Sequence, residues 1–500
     1  MTEYMHRERH TGIAIIGAGF SGIGAAARLK REGVRDFVVF ERAGSVGGTW
    51  RDNDYPGSAC DVPSHLYSYS FAPRPDWPRS FATQPEIYDY LENVVDRCDV
   101  RQHLLFHTAV TTARWDSSAL HWKLWTTSGT WTADIVIAAT GPLSDPAIPH
   151  VPGMDAYMGS LFHTSQWNHG LDLSDARVAL IGTGASAAQV IPAVARQARH
   201  LTVLQRTPAW VLPRLDRRIT APERWLHRRL PATRAIRRAS LWGVRELQAG
   251  AFTSHPNRLK VFERISRSHL YKSVQDPQLR SMLTPEYRIG CKRIILSDEY
   301  YPSFTRPNTT LLPSPLKSID GGTLIAENGV RTEADVTILA TGYRATDPYF
   351  ARNVIGVDGR SLSEHRRNGV TPLRGTTTPG FPNLLVLAGP GTLLGNNSLL
   401  LMIESQLNYL VDFVRRLRSL GGRAALDARA SATMQWHGRS TLHLDSSVWN
   451  NGGCDSWYLD SKGRNTSLWY GRTAEFRRLT RKVKISEYHV LRVPTPSAGE

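Results

Sequence analysis

Two glycine-rich segments carry the clearest chemical signal in the sequence. GAGFSG at residues 17–22 and GTGASA at residues 182–187 each follow a short apolar run and precede a stretch in which apolar residues have helical spacing. Glycines in such a loop let the backbone approach a pyrophosphate, and the N-terminus of the following helix directs its N–H groups at the anion. The pattern therefore predicts two dinucleotide sites in one chain.

The residues that follow the second strand of each unit distinguish the two sites. Glu41 comes directly after the apolar run at 37–40, about twenty residues beyond the first glycines, where a carboxylate can hold a ribose diol. The corresponding run at 201–208 carries Arg206 instead of an acid. A guanidinium pairs with phosphate through two hydrogen bonds, so Arg206 favours the 2′-phosphate of NADPH over NADH.

The elements around these loops indicate an α/β fold with two nested Rossmann-like dinucleotide-binding domains and a helical insert. The first domain is predicted to be discontinuous, with residues 1–150 and 345–500. The second combines residues 151–212 and 288–344, and residues 213–287 form the insert, which is rich in arginine and helical in pattern.

Two similar strands support the nesting. DIVIAATG at residues 134–141 and DVTILATGY at residues 335–343 are buried-type strands that each end at a glycine. Before the first of them, the segments between Val110 and Thr132 alternate as in a small antiparallel meander. We expect the two ATG strands to mark the points where the chain crosses between the domains.

Composition narrows the function further. The chain has 500 residues, 41% of them hydrophobic, and a formal net charge of +17. The polar N-terminal residues 1–10 lack signal-peptide features, which favours a cytoplasmic protein, and no apolar run is long enough for a membrane-spanning helix. Arginines are dispersed, with a local excess at 214–245, and aromatic residues are not interleaved with them in a recognisable RNA-binding signature. A nucleic-acid partner is therefore not predicted.

The cysteine positions argue against a metal site and against a dithiol enzyme. Cys60, Cys98, Cys291 and Cys454 lie far apart, with no CxxC pair and no metal-ligand spacing. We interpret them as reduced thiols and predict no metal site. A flavin reductase of the dithiol type, which needs two neighbouring sulfurs, is also disfavoured.

Two further motifs carry a family resemblance. GGTWRDNDYPGSACD at residues 47–61 closely resembles a GGxWxxxxYPGxxxD loop, and Tyr157, Gly159, His163 and Trp167 fit the spacing FxGxxxHxxxW. With the two glycine loops, these motifs resemble those of the type I Baeyer–Villiger monooxygenases, flavoproteins with two dinucleotide-binding domains. The resemblance spans most of the chain.

This resemblance implies FAD and NADPH as cofactors and assigns residues to each. The residues expected to bind FAD are Gly17, Gly19, Phe20, Ser21, Gly22, Glu41, Arg42, Gly48, Thr49, Trp50, Asp61, Tyr67 and Val110. The residues expected to bind NADPH are Gly182, Thr183, Gly184, Ala185, Ser186, Gln189, Arg206, Thr207, Lys292 and Trp457.

The same resemblance identifies a catalytic pair. Arg293 in GCKR matches the family's active-site arginine, and Asp61 matches the acid that orients it. An arginine suits this chemistry because it stays protonated while negative charge develops on a flavin peroxide and then on its carbonyl adduct. Trp457 resembles the tryptophan of a loop that closes over NADP. His163 is interpreted as a hinge or packing residue at least as readily as a catalytic one.

The predicted function is an NADPH-dependent FAD monooxygenase that uses O2 to insert one oxygen atom beside a ketone carbonyl, giving an ester or lactone through a flavin peroxide. Two departures from the fingerprint, Tyr157 in place of phenylalanine and Asn168 in place of proline or aspartate, keep a second activity open. This is N- or S-oxygenation of an amine or thioether. An NADPH oxidase without productive oxygenation and a basic binding protein are the remaining alternatives.

Overall fold

The computed structural model describes residues 8–492. Residues 1–7, which contribute to the prediction that there is no export signal, lie outside this range. The strands are β1 (Arg9–Ile16), β2 (Phe37–Phe40), β3 (Leu104–Leu105), β4 (Val110–Asp116), β5 (His121–Thr126), β6 (Gly129–Ala138), β7 (Ser160–His163), β8 (Arg177–Ile181), β9 (His200–Leu204), β10 (Val211–Leu212), β11 (Ile295–Leu296), β12 (Thr309–Leu312), β13 (Leu316–Asp320), β14 (Thr323–Ala326), β15 (Arg331–Glu333), β16 (Val336–Leu339), β17 (Val354–Ile355), β18 (Leu384–Val386), β19 (Ala424–Ala428) and β20 (Tyr488–Arg492).

The α-helices alternate with these strands in the two sheet regions and cluster between β10 and β11. They are α1 (Phe20–Arg31), α2 (Thr49–Asp52), α3 (Gln84–Arg97), α4 (Ala185–Gln197), α5 (Ala221–Arg229), α6 (Pro231–Phe252), α7 (Lys260–Ser273), α8 (Pro277–Met282), α9 (Tyr300–Ser303), α10 (Tyr349–Arg352), α11 (Leu362–Arg366), α12 (Leu399–Ser419), α13 (Ala430–Leu444), α14 (Val448–Asn451) and α15 (Thr473–Leu479). None of the helices within residues 8–492 is long and apolar enough to cross a membrane.

The first sheet contains eight strands in the order β17-β4-β5-β6-β1-β2-β3, with β18 also paired to β6. Strands β18, β6, β1, β2 and β3 run parallel, as expected for a nucleotide-binding sheet. The predicted meander is present as β4, β5 and the first half of β6. It is not a separate sheet, because the strand 129–138 runs without interruption from the meander into the parallel core.

The second sheet has five parallel strands in the order β12-β9-β8-β16-β7. The two ATG strands occupy equivalent places, since β6 pairs with β1 and β16 pairs with β8, each beside the strand that enters a glycine loop. The chain therefore builds the same strand–loop–helix arrangement twice. The predicted domain boundaries themselves stay a prediction.

Each parallel sheet is covered by helices that bury their apolar faces. Ile13 and Ile15 of β1 pack with Ile23 and Leu29 of α1, and Leu407 of α12 closes the same cluster. In the second sheet, α4 buries its apolar residues, including Val190, Ile191 and Val194, in a separate cluster with β8 and β9. The segment from α5 to α8 contains no parallel strand and is helical, as the sequence predicts.

Candidate active site

The site centres on an ion pair between residues far apart in the sequence. The Arg293 guanidinium donates two hydrogen bonds to Asp61, from Nε to Oδ2 and from Nη2 to Oδ1, both at 2.7 Å. Asp61 lies in the long loop between α2 and α3, and Arg293 lies just before the short strand β11. Both side chains keep about a third or less of their surface exposed, 32% for Arg293 and 26% for Asp61. The pairing fixes the plane of the guanidinium.

The charges of this pair are mutually stabilised. The Asp61 charge raises the pKa of Arg293 above its ordinary value, although burial opposes the rise. Burial alone would raise the pKa of Asp61, but the charges and hydrogen bonds of Arg293, with a further contribution from Arg245, lower it. Each partner therefore stabilises the charged form of the other, Arg293 as a cation and Asp61 as a carboxylate.

Three side chains at this site were not identified from the sequence. Arg245 on α6 donates to the Asn396 carbonyl at 2.9 Å and lies close enough to Asp61 to lower its pKa. Arg214 donates to the Cys60 carbonyl at 3.0 Å. Tyr458 is buried, and its hydroxyl has no hydrogen-bond partner among residues 8–492.

These neighbours make the site cationic and give it one unpaired hydroxyl. Burial raises the pKa of Tyr458 to about 12, so this hydroxyl stays protonated. The local arginine excess at 214–245 was the one sequence signal that pointed to Arg214 and Arg245, but it did not single out either residue. Tyr458 follows Trp457 directly, and no spacing argument distinguished it.

The first glycine loop is shaped to accept a phosphate. A Cβ on Gly17 would lie 2.7 Å from the Ala139 carbonyl oxygen, and one on Gly22 would lie 1.8 Å from the Gly17 carbonyl oxygen. Glycine is thus required where α1 meets β1 and the end of β6. Gly19 precedes α1 and no side chain caps the helix, so its first N–H groups stay available. This cradle fits the pyrophosphate of FAD.

The remaining predicted FAD residues lie on several elements around the first sheet. Glu41 accepts from the Ala18 amide at 2.8 Å and from Arg51 at 3.0 Å, and it is buried. The Trp50 indole donates to the Tyr67 hydroxyl at 3.0 Å. Other predicted members of this set lie at Phe20 and Ser21 on α1, Arg42 after β2, Gly48 and Thr49 at the start of α2, and Val110 at the start of β4.

Gly19 and Gly48 approach each other closely. A Cβ on Gly19 would lie 3.7 Å from the Gly48 Cα. The structure therefore brings the glycine loop and the GGTW segment together.

The second glycine loop repeats this geometry. Gly182 has φ +118°, and a Cβ on it would lie 2.5 Å from the Ala340 carbonyl oxygen. Gly184 precedes α4, which has no side-chain cap, and both Gly184 and Ala185 are exposed. Thr183 Oγ1 donates to the Thr207 carbonyl at 2.7 Å, joining the loop to the segment after β9. The exposed helix start fits a dinucleotide phosphate.

Gln189 and Ser186 of α4 contact the loop that carries Asp61. The Gln189 amide donates to the Ala59 carbonyl at 2.8 Å, and its oxygen accepts from the Tyr55 hydroxyl at 3.0 Å. The same hydroxyl lies 3.3 Å from Ser186 Oγ. These bonds tie α4 to the loop that carries Asp61, so the two nucleotide units are linked next to the ion pair.

Arg206 and Lys292 are brought together although 86 positions separate them in the numbering. Arg206 is exposed just after β9, and Lys292 lies over the Tyr287 ring, with Nζ 5.3 Å from the ring centroid. Burial lowers the pKa of Lys292, the positive charge of Arg206 lowers it further, and Asp455 opposes both. A dianion bound between these two cations would relieve their repulsion.

Comparisons with known proteins identify relatives of this chain. Residues 10–234 match the model of the flavin-binding monooxygenase-like family. The chain is 54% identical to a Baeyer–Villiger monooxygenase of Streptomyces coelicolor, with 99% of this chain and 96% of the relative aligned. The chain belongs to the Baeyer–Villiger monooxygenase family. A second Baeyer–Villiger monooxygenase, from Pseudomonas aeruginosa, is 43% identical over 97% of this chain and 92% of the relative.

The solved structures extend the agreement to the fold. A crystal structure of cyclohexanone monooxygenase from Rhodococcus sp. Phi1 bound to NADP+ superposes with a TM-score of 0.84 at 28% identity, covering 95% of this chain and 97% of the other. The predicted α/β fold is confirmed, and so is the prediction of an enzyme of this class, a flavoprotein monooxygenase that uses FAD and NADPH.

In this monooxygenase the fingerprint segment is a structural connector. The Tyr157 hydroxyl donates to the Ala334 carbonyl and accepts from Thr337, both at 2.9 Å, so the extra oxygen relative to phenylalanine is fully bonded. His163 ends the edge strand β7 and is 1% exposed, with Nδ1 bonded to Ser165. Trp167 packs against Phe162. These contacts favour the hinge or packing interpretation of His163.

One sequence prediction about this monooxygenase is wrong. Cys291 and Cys454 form a disulfide, whereas all four cysteines were predicted to be reduced and unpaired. The two residues are 163 positions apart, and only the packing of the 451–460 loop against the Lys292–Arg293 segment brings their Cα atoms to 6.2 Å. Cys60 and Cys98 are free. The disulfide fastens the loop that carries Trp457 and Tyr458 to the segment that carries the catalytic candidate.

Proposed function

We propose that this monooxygenase inserts one oxygen atom of O2 beside the carbonyl of a ketone and releases an ester or lactone, with NADPH as the reductant. The observation that carries the proposal is the two-pronged Asp61–Arg293 pair beside the junction of the two nucleotide units. Oxygen addition to a carbonyl places negative charge on oxygen, and a fixed cation stabilises that charge most when it needs no reorganisation.

The bound flavin, once reduced, supplies the activation of O2, which amino-acid side chains cannot provide. The chain's own contribution is to hold and orient. Gly17, Gly19 and the start of α1 would hold the FAD pyrophosphate, and the bonded pair of Trp50 and Tyr67 would support the flavin. Arg293 would stabilise the negative charge that develops on oxygen, and Asp61 keeps the guanidinium plane fixed while its carboxylate balances the charge of the arginines around it.

NADPH is held by the second unit. The start of α4 binds its pyrophosphate, and Arg206 with Lys292 binds the 2′-phosphate. Trp457 is half-exposed at 41% and packs on Tyr458, 4.6 Å between ring centroids. A ring in this position can cover the nicotinamide side of the site and exclude water, which protects the reactive oxygen species from decay to hydrogen peroxide.

A product balance tests the proposal. The holoenzyme is supplied with NADPH and 18O2 and with a ketone, a thioether or an amine, and NADPH consumed, H2O2 released and product formed are measured in each case. One labelled oxygen in an ester, with NADPH and product in equal amounts, supports ketone oxygenation. Label in a sulfoxide or N-oxide, with the ketones unreactive, would establish the heteroatom alternative. H2O2 equal to NADPH with every compound would establish an oxidase.

The NADPH site is expected to be sensitive to alkaline pH. Because the pKa of Lys292 lies below that of an ordinary lysine, Lys292 loses its proton as the pH rises while most lysines remain charged. We expect the KM for NADPH to rise at alkaline pH and the KM for NADH to change little, since NADH lacks the 2′-phosphate. Lys292→Arg should abolish the rise because arginine stays protonated. A parallel rise for both cofactors would assign the titration to another group.

Opening of the Cys291–Cys454 disulfide is expected to weaken the use of NADPH. The double variant Cys291→Ser, Cys454→Ser frees the Trp457 loop from the Lys292–Arg293 segment. We expect a several-fold higher KM for NADPH and a larger share of NADPH converted to H2O2, because the loop no longer covers the site. Cys98→Ser is the matched control, since Cys98 is free and lies in the first unit. If the wild type, the double variant and Cys98→Ser converted the same share of NADPH to H2O2, the disulfide would have a role in stability alone.

A further inference from the structure

The positive charge of the chain is concentrated in the helical segment. Residues 213–287 contain 16 of the 61 Lys and Arg residues but 6 of the 44 Asp and Glu residues. More than half of the net charge of +17 therefore comes from this stretch. The two inward-facing arginines, Arg214 and Arg245, serve the candidate site and account for a small part of the excess.

The longest helix of this segment exposes an apolar face. On α6 the solvent-facing positions recur every three or four residues, which is one side of a helix. Ile236 is 69% exposed, Val244 56% and Leu247 74%. We name this surface the α6 ridge and define it by Ala232, Ala235, Ile236, Ala239, Ser240, Val244 and Leu247, none of which is charged.

The arginines of α6 lie off this ridge. Arg238 donates to the carbonyls of His65, Leu66 and Ser68, and Arg245 donates to that of Asn396. They are only partly exposed and are held against the body of the protein. No polar group within residues 8–492 therefore covers the ridge. Packing in the core does not explain why its side chains are apolar, because they are exposed.

Exposed basic residues lie next to both ends of the ridge, and an exposed tryptophan lies before it. Before α6, Trp225 is 59% and Leu230 53% exposed, and Arg229 beside Leu230 is exposed as well. After α6, Arg258 and Lys260 are exposed on the turn that leads into α7. An apolar helix face with tryptophan and basic neighbours is the pattern of helices that lie in the surface of an anionic membrane.

Charge complementarity favours an anionic membrane over a second copy of the chain or a nucleic acid as the partner of the ridge. A symmetric dimer would place the same patch of two copies face to face, and the like charges of the two segments would repel. A nucleic acid would attract the cations but would gain nothing from Ile236 and Leu247. An anionic bilayer matches both features, because the headgroups meet the basic residues and the acyl boundary accepts the apolar ones.

We propose that the α6 ridge docks this monooxygenase on the surface of membranes rich in anionic phospholipid. Ile236, Val244 and Leu247 enter the boundary between headgroups and acyl chains, and Arg229, Arg258 and Lys260 contact the headgroup phosphates. The helix lies in the interface and does not span it. This surface is separate from the oxygenation chemistry and does not depend on the substrate.

Vesicle flotation tests the proposal with the FAD-loaded full-length enzyme. The probes are vesicles of phosphatidylcholine alone and of phosphatidylcholine with an equal amount of phosphatidylglycerol. We expect flotation with the anionic vesicles, loss of flotation at high salt, and little with the zwitterionic ones. The variant Ile236→Ser, Leu247→Ser should weaken the binding by about tenfold or more, since each side chain loses its apolar burial.

The control is Val357→Ser, Leu442→Ser, which removes two exposed apolar side chains elsewhere, 46% and 76% exposed. FAD content and NADPH oxidation report that each variant is folded. Equal flotation of the ridge variant and the control would overturn the proposal. The proposal would also be overturned if the enzyme did not float with the vesicles but bound a DNA duplex, and the ridge variant still bound that duplex. A wild-type dimer that the ridge variant converts to a monomer, without vesicle binding, would assign the ridge to a second copy.

Discussion

Replacement of Arg293 by alanine is expected to leave an enzyme that binds FAD and is reduced by NADPH but forms about 10²- to 10³-fold less oxygenated product. The reason is the loss of the one cation that Asp61 holds in a fixed plane by two hydrogen bonds of 2.7 Å. NADPH consumed without product should appear as H2O2. The measurement is the ratio of ester to H2O2 at saturating NADPH, together with the rate of flavin reduction under anaerobic conditions.

Two further variants distinguish charge from geometry. Arg293→Lys keeps a positive charge but loses the two-pronged contact, so we expect partial recovery of product relative to alanine. Arg331→Ala is the matched control, because Arg331 forms an exposed pair with Asp320 at 3.2 Å. Product formation by Arg293→Ala at the level of this control would remove Arg293 from the chemistry. Loss of FAD or slow flavin reduction would instead indicate a structural role.

Replacement of Arg206 by alanine is expected to reduce the preference for NADPH over NADH by roughly 10- to 100-fold, as for the loss of a charged hydrogen-bond partner worth about 1.5–3 kcal/mol. Arg206 is exposed and close enough to Lys292 to lower its pKa, and in the proposed NADPH site these two cations bind the 2′-phosphate. The measurement is kcat/KM for each cofactor. The change should come from a lower kcat/KM for NADPH alone, while kcat/KM for NADH stays the same or rises slightly.

The controls for this experiment keep the second unit intact. Arg206→Lys should retain part of the preference, since an ammonium still attracts the phosphate but cannot form the two-pronged contact. Arg196→Ala removes an exposed arginine of α4 that pairs with Glu299 at 3.0 Å and should leave the preference unchanged. If Arg206→Ala behaved like Arg196→Ala, the 2′-phosphate would have to bind elsewhere.

Local patterns in the sequence determined most of the fold. The two glycine loops, the strands β1 and β8 that enter them and the helices α1 and α4 that leave them are defined by residues within about thirty positions of one another. Hydrophobic periodicity and glycine conformation act over this range, so the sequence is sufficient. The two ATG strands were recognised for the same reason, and the structure places both beside glycine-loop strands.

The catalytic pair came from a motif resemblance and not from spacing. Asp61 and Arg293 are separated by 232 positions, and nothing in the local sequence of either indicates the other. Arg245 and Tyr458 had no motif and were missed, although Arg245 lowers the pKa of Asp61 and Tyr458 is buried near the pair. Their positions depend on how α6 and the 451–460 loop pack on the loop that carries Asp61.

The sequence alone therefore predicts two dinucleotide units and, through family motifs, the class of chemistry. Tertiary packing sets which side chains meet. It joined Cys291 to Cys454, placed Arg206 beside Lys292, and turned the arginines of α6 inward while its apolar face remained exposed. The physical reason is that secondary structure follows short-range periodicity, whereas contacts between distant segments are fixed by packing of whole elements, whose relative orientation no local pattern encodes.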